Sequence, residues 1–226
     1  GYLLIIDENL GADTPGEQEL LAQNQNLRSS LQHYQRTQDD HLQHLARSHT
    51  QQQLIARLTR QRYVSSDPRQ EAAELITQAA CEVYGVARAG IWHLGNHSLE
   101  SISLYRRDLG RHEQLSSIDA RDFPHYIEAL QSGRAIDAHD AQHDLRTREL
   151  APGYLEPLGI ASMLDASIRI EGEVVGVLCL EHIGPKRFWQ ADEIAFAGEL
   201  ADQFAQVLIN QEKRSATHAL YLFQRA

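Results

Sequence analysis

From Ser162 to Ile170 the chain alternates: Leu164, Ala166, Ile168 and Ile170 are separated by Met163, Asp165, Ser167 and Arg169. That period of two predicts a strand with two unlike faces. Val174 to Leu180 follows as a run that is apolar on both faces, which predicts a strand covered on both sides. Glu171-Gly172 lies between them and predicts a tight hairpin turn, since glycine takes positive φ without steric cost. Helices are expected against one face of this hairpin, and loops or a ligand pocket against the other.

The rest of the chain is organised around that hairpin. Residues 1–13 contain a short apolar run, Tyr2 to Ile6, read as an orphan strand or linker at the end of an upstream domain. Thr14-Pro15-Gly16-Glu17 carries three helix-start signals, and nothing from Glu17 to about Tyr63 stops the helix that follows. Its heptad seam is Leu20, Leu27, Leu31, Tyr34, Gln38, His41, Leu45, Ser48, Gln52 and Ile55, apolar at first and polar in the middle. Residues 14–63 therefore predict a weak coiled-coil helix whose seam is completed by a partner chain.

Asp67-Pro68-Arg69-Gln70 opens a second helix, with Gln70 placed to close a capping box and Gly85 to end it. Arg88–Leu94 and Leu99–Tyr105 read as a hairpin, Asp122-Phe123-Pro124 as the start of a short helix ending at Gly133, and residues 135–137 as a short strand. Ala138–Leu150 reads as a polar loop, and Tyr154–Leu158 as a turn of helix broken at Pro157 and Gly159. A last helix begins after Trp189-Gln190, and residues 212–226 continue it as a linker toward a missing output domain.

Composition narrows the function classes. Of 226 residues, 42% are hydrophobic and 23% charged, an ordinary globular balance. The formal net charge of -10, with no basic run, argues against nucleic acid and anionic membrane as partners. Cys81 and Cys179 are far apart in apolar surroundings, which suits buried thiols in a reducing compartment. Tyr2–Ile6 is too short for a secretory signal and no stretch is long enough to cross a bilayer, so a cytoplasmic location without direct membrane contact is expected. No phosphate loop, nucleophile elbow, zinc-protease helix or calcium-loop spacing is present, so this fragment is not expected to be an enzyme.

From Leu54 to Gln211, the order of RAGIWHL, RAIDAHDAQHD, GYLEPLGIASMLDASI, EGEVVGVLCLEH and FWQADEIAFAGELADQFA resembles a GAF domain. The resemblance implies an α+β fold: a GAF-like antiparallel sheet with helices on one face and a pocket on the other, over residues 64–211, preceded by the long helix. It also implies a sensor module of bacterial signalling proteins, of the kind found upstream of GGDEF diguanylate cyclase, phosphodiesterase or histidine kinase domains. The full-length protein would carry that catalysis, and the fragment would form a homodimer through the long helix and the bundle helices. The alternative is a ligand-free dimerisation and spacer module.

The pocket candidates are Tyr105, Phe123, Tyr126, Asp137, Tyr154, Met163, Asp165, Cys179 and Glu181. Aromatic walls with one or two carboxylates suit a flat or cationic small molecule, unless the aromatics fill the space themselves. No resident cofactor or metal is expected. The His139-Asp140 and His143-Asp144 pairs have a metal-like spacing, but a surface loop of Asp and His is ordinarily solvated. Cys179 reads as a small apolar residue on a buried strand. The chain lacks the Cys-His pair of chromophore-binding GAF domains and the cysteine set of the free methionine sulfoxide reductases.

Overall fold

The computed structural model describes residues 15–63 and 65–223. The apolar run at residues 2–6 and the Thr14 cap lie outside the described residues. The chain divides into two units, Gly1–Arg47 and Ser48–Ala226. The first contains most of helix α1 (Pro15–Arg60), whose Leu27, Leu31, Tyr34 and Leu45 stand exposed along the heptad seam, with Leu42 exposed beside them. The helix stops at Arg60, three residues short of the expected end, with Arg57 and Arg60 in its last turn, where positive charge suits the carbonyl end.

The second unit is built on a seven-stranded antiparallel sheet in the order β3-β2-β1-β7-β6-β5, with β4 also paired to β2. The strands are β1 (Arg88–Leu94), β2 (Ser98–Arg106), β3 (Arg111–Glu113), β4 (Ile118–Asp119), β5 (Ala135–Ala138), β6 (Ile160–Ile170) and β7 (Glu173–Ile183). The β6–β7 hairpin is its centre. Glu171 and Gly172 both take positive φ, 53° and 91°, as a two-residue turn of this hand requires. The two-faced apolar run of β7 has its reason here, because β7 lies between β1 and β6 with a hydrophobic cluster on either side.

Helices α2 (Pro68–Tyr84) and α5 (Ala191–Phe223) cover the first face, joined by Leu54 and Leu58 from the end of α1. Ile76, Ala80, Phe196, Leu200 and Phe204 meet Leu164, Ile168, Leu178 and Leu180 of the hairpin there. Asp67 caps α2 by accepting from the amides of Arg69 and Gln70 at 3.1 Å each. The expected capping box forms differently: Gln70 donates forward to Glu74, and Glu71 instead takes the Ser65 amide at 3.2 Å. At the start of α5, Glu193 accepts from the Gln190 amide, pairs with Arg187, and gives its backbone carbonyl to the Tyr84 hydroxyl at 2.6 Å.

One position in β7 has no room for a side chain. A Cβ added to Gly176 would lie 2.4 Å from the carbonyl oxygen of Trp92 on β1. Gly176→Ala should therefore force β1 and β7 apart and lower stability by about 2–3 kcal/mol, read as a shift of the urea midpoint. An unchanged midpoint would mean that the strands yield more easily than this spacing allows.

Candidate functional site

The second face of the sheet is covered by the crossing segment between β4 and β6, which contains helix α3 (Pro124–Ser132) and, after β5, a polar loop. The loop passes into a helical stretch longer than expected: a 3-10 turn at Arg148–Leu150, a π-helical turn at Ala151–Leu155, and α4 (Glu156–Leu158). Pro157 falls inside this stretch, and Gly159 ends it. Pro152 and Pro157 each lie near the start of their turn, where a missing amide hydrogen is tolerated.

Helix α3 has nine residues, too few to hold itself. Both its ends are held from outside. Phe123 at the N-terminus supplies no side-chain cap, and the carboxylate of Glu149 takes the amides of His125 and Tyr126 at 3.0 and 3.3 Å. At the other end, Nη2 of Arg169 donates to the carbonyls of Leu130, Gln131 and Gly133 at 2.8–3.0 Å. These contacts hold Tyr126 down onto the sheet.

Under the cover lies a cavity of about 30 Å³ lined by Trp92, Tyr126, Tyr154, Met163, Cys179 and Glu181, with Leu99, Ile118, Leu150 and Val177 completing it. That is the scale of one water molecule. The hydroxyl of Tyr126 donates to Asp165 Oδ2 at 2.6 Å and lies 3.8 Å from the Cys179 sulfur. Asp165 is fully buried, and its Oδ1 has no hydrogen-bond partner among the described residues. Burial pushes its carboxyl up to about 7 against the lowering by the Tyr126 bond and, more weakly, by the Cys179 thiol, and the charge of Glu181 adds to the rise. Burial likewise pushes the Cys179 thiol well up, with Asp165 and Glu181 adding to the effect, so it is not a thiolate nucleophile.

Glu181 is the second buried carboxylate, and it is compensated. Arg88 Nε lies 3.0 Å from its Oε2, an ion pair whose angle does not make a hydrogen bond. The hydroxyl of Tyr154 donates to its Oε1 at 2.6 Å and accepts from Arg88 Nη2 at 3.0 Å. Burial nevertheless raises the Glu181 carboxyl above its ordinary value, against the lowering by Arg88 and Tyr154. The cavity wall thus holds one carboxyl, two phenols and one thiol, with the Asp165 carboxyl and the Arg88 guanidinium behind them.

Five of the nine sequence candidates line this cavity: Tyr126, Tyr154, Met163, Cys179 and Glu181. Asp165 stands next to two of them, Tyr126 and Cys179. Phe123 packs at the margin of the same cluster. Tyr105 belongs to the other face, where it packs in the helix-side core and its ring lies 4.9 Å from that of His112. Asp137 is half-buried and pairs with Arg146 at 3.0 Å, while its neighbours Ile136 and Ala138 enter the cluster. Arg88 and Trp92 were not among the candidates. Their signal was present in RAGIWHL, since period two places Arg88 and Trp92 on one face, and the register carries that face onto Cys179 and Glu181.

The His-Asp loop is internally engaged. Asp140 meets His143 at 3.0 Å and Lys186 at 2.5 Å, and Asp144 accepts from the Arg146 amide and guanidinium. Among the described residues no three His, Cys, Asp or Glu side chains are grouped to hold a metal. Nor is any described helix long and apolar enough to cross a membrane.

Comparison with known proteins bears on this architecture. The family described as GAF domain matches residues 68–208. The blue-light absorbing form of the Thermosynechococcus elongatus PixJ GAF-domain is similar at 22% identity and a TM-score of 0.58, over 67% of this chain and 90% of that one. The GAF domain of an Acinetobacter phosphoenolpyruvate-protein phosphotransferase is similar at 13% identity and a TM-score of 0.57, over 73% and 93%. A far-red absorbing dark state with bound biliverdin is similar at 16% identity and a TM-score of 0.58, over 72% and 99%. No match was found among curated proteins.

Proposed function

This chain belongs to the GAF domain family, and from that premise we propose that it is the sensory module of a bacterial signalling protein, taking a small molecule at the cavity beneath α3. The observation that carries this reading is the cost of the buried groups in and directly behind the cavity wall. Two buried carboxyls, one of them with an unmatched oxygen, are expensive to keep where apolar side chains would pack as well. A perturbed, sealed group of this kind is what a recognition site uses.

Output runs through helices. α1 and α5 join the same helix-side core, and the exposed Leu27, Leu31, Tyr34 and Leu45 form a heptad stripe for a second copy of the chain. A homodimer joined along α1 and the bundle helices would pass a change in the sheet to an output domain, such as a cytoplasmic diguanylate cyclase. The charge of -10 keeps nucleic acid out of the scheme.

A bilin, which one similar structure holds, does not fit these residues. The cavity of about 30 Å³ compares with roughly 300–1,000 Å³ for ordinary ligand pockets, and Cys179 is buried with its sulfur 3.8 Å from the Tyr126 hydroxyl. The same small volume favours a second reading, a ligand-free dimerisation and spacer module in which Trp92, Tyr126 and Tyr154 fill the pocket.

Native mass spectrometry before and after denaturation separates the two. The sensor reading expects a dimer carrying an extra mass that leaves on denaturation. A clean dimer that also gains no mass from a panel of small amines, carboxylates and nucleotides would favour the spacer. A clean monomer would overturn the dimeric output scheme.

A further inference from the structure

Asp165 differs from every charged group around it. On β7, Glu181 is neutralised by Arg88 of β1 and bonded by Tyr154, and Cys179 presents a thiol. From α3 comes only the Tyr126 hydroxyl. On β5, Asp137 is occupied by Arg146. Along β6 itself, Ser167 bonds the Gly133 and Arg134 carbonyls, and Arg169 is spent on the C-terminus of α3. Each of these three cations is committed elsewhere, so Asp165 is left fully buried with no counter-charge, with only the Tyr126 hydroxyl and the weak Cys179 thiol as donors, and with Oδ1 unmatched.

As an anion that arrangement is costly, because a sealed charge needs a counter-charge or several donors. As a neutral acid it sheds that cost: Oδ2 still accepts from Tyr126, and no charge is left without a counter-ion. The phenol it holds belongs to α3, a short helix that packs Leu130 into the same cluster and is clamped by hydrogen bonds near its two ends.

We propose that Asp165 is a proton-operated latch on α3: with its proton on, the Asp165–Tyr126 bond closes the cover over the cavity, and with it off, the buried charge loosens α3 and admits water. The latch works whether or not the cavity takes a guest. Its direction follows from linkage. In the open form the carboxyl is hydrated and releases its proton at lower pH than in the closed form, so opening becomes easier as pH rises until the closed form also ionises, and is constant beyond. Burial places that upper limit near pH 7.

Amide hydrogen exchange on the full chain tests this. After correction for the intrinsic pH dependence of exchange, protection of the α3 amides should fall about tenfold per pH unit from pH 5 to 7 and level off by pH 8, with the β6–β7 amides steady. Asp165→Asn should show no such fall. Tyr126→Phe, which keeps the ring and removes the hydroxyl, should lower α3 protection already at pH 5. A wild-type profile that is flat would overturn the latch. So would an equal fall in Asp165→Asn, which would assign the effect to another group, or full α3 protection at pH 5 in Tyr126→Phe.

Discussion

Asp165→Asn makes the folded chain more stable at pH 8 and leaves it nearly unchanged at pH 4. The carboxyl titrates at about 7 when folded and at its ordinary 3.8 when the chain is open. Below 3.8 both states carry the proton. Between pH 4 and 7 the unfolded chain has released it and the folded chain has not, so wild-type stability falls as pH rises and stays at its reduced level above 7. Asparagine keeps the acceptor for Tyr126 and adds no charge. At about 1.4 kcal/mol per unit, the variant should gain up to about 4 kcal/mol over wild type at pH 8, measured by urea denaturation at both pH values. An equal gain at the two would mean that the effect is packing, not charge.

Arg88→Met has the opposite sign and comparable size. It leaves Glu181 buried with only the Tyr154 hydroxyl as partner, and removing one member of a buried ion pair costs about 3–5 kcal/mol. The loss should be greatest near neutral pH and shrink in acid, where Glu181 takes up a proton. Adding Glu181→Gln should restore most of the stability, since the amide still accepts from Tyr154 and no charge remains. The double-mutant cycle isolates the pair. A single-variant loss below about 1 kcal/mol would mean that water reaches Glu181 and that the pair behaves as a surface salt bridge.

These two variants mark where the sequence was readable and where it was not. Period two in β6 and β7, the turn at Glu171-Gly172 and the cap at Asp67 are local signals, and each is realised where it was expected. Locally encoded elements need only their own neighbours. The cavity wall depends on register, which joins Arg88 to Glu181 across β1 and β7 and Asp165 to Cys179 across β6 and β7. Tyr105 shows the difficulty. Which face a strand presents to which core depends on pairing, and β2 carries a bulge opposite Ile91 and Trp92 that shifts its alternation. Of the helical stretch at residues 148–158 only Tyr154–Leu158 was legible, and Pro157 read there as a breaker, although proline at the start of a turn breaks nothing.

The clamps on α3 have a further meaning for how the chain folds. Glu149 and Arg169 lie 24 and 39 residues beyond the groups they bond, so no stretch of chain short enough to be local contains α3 and its clamps together. A nine-residue helix cannot persist without them, and the loops that bring its partners back add closure entropy to every attempt. The segment therefore becomes helical only as the 148–158 turn and β6 fold back against it. The cover depends on the sheet rather than the reverse, and damage to either clamp would open the segment to proteases while leaving the helix-side core in place.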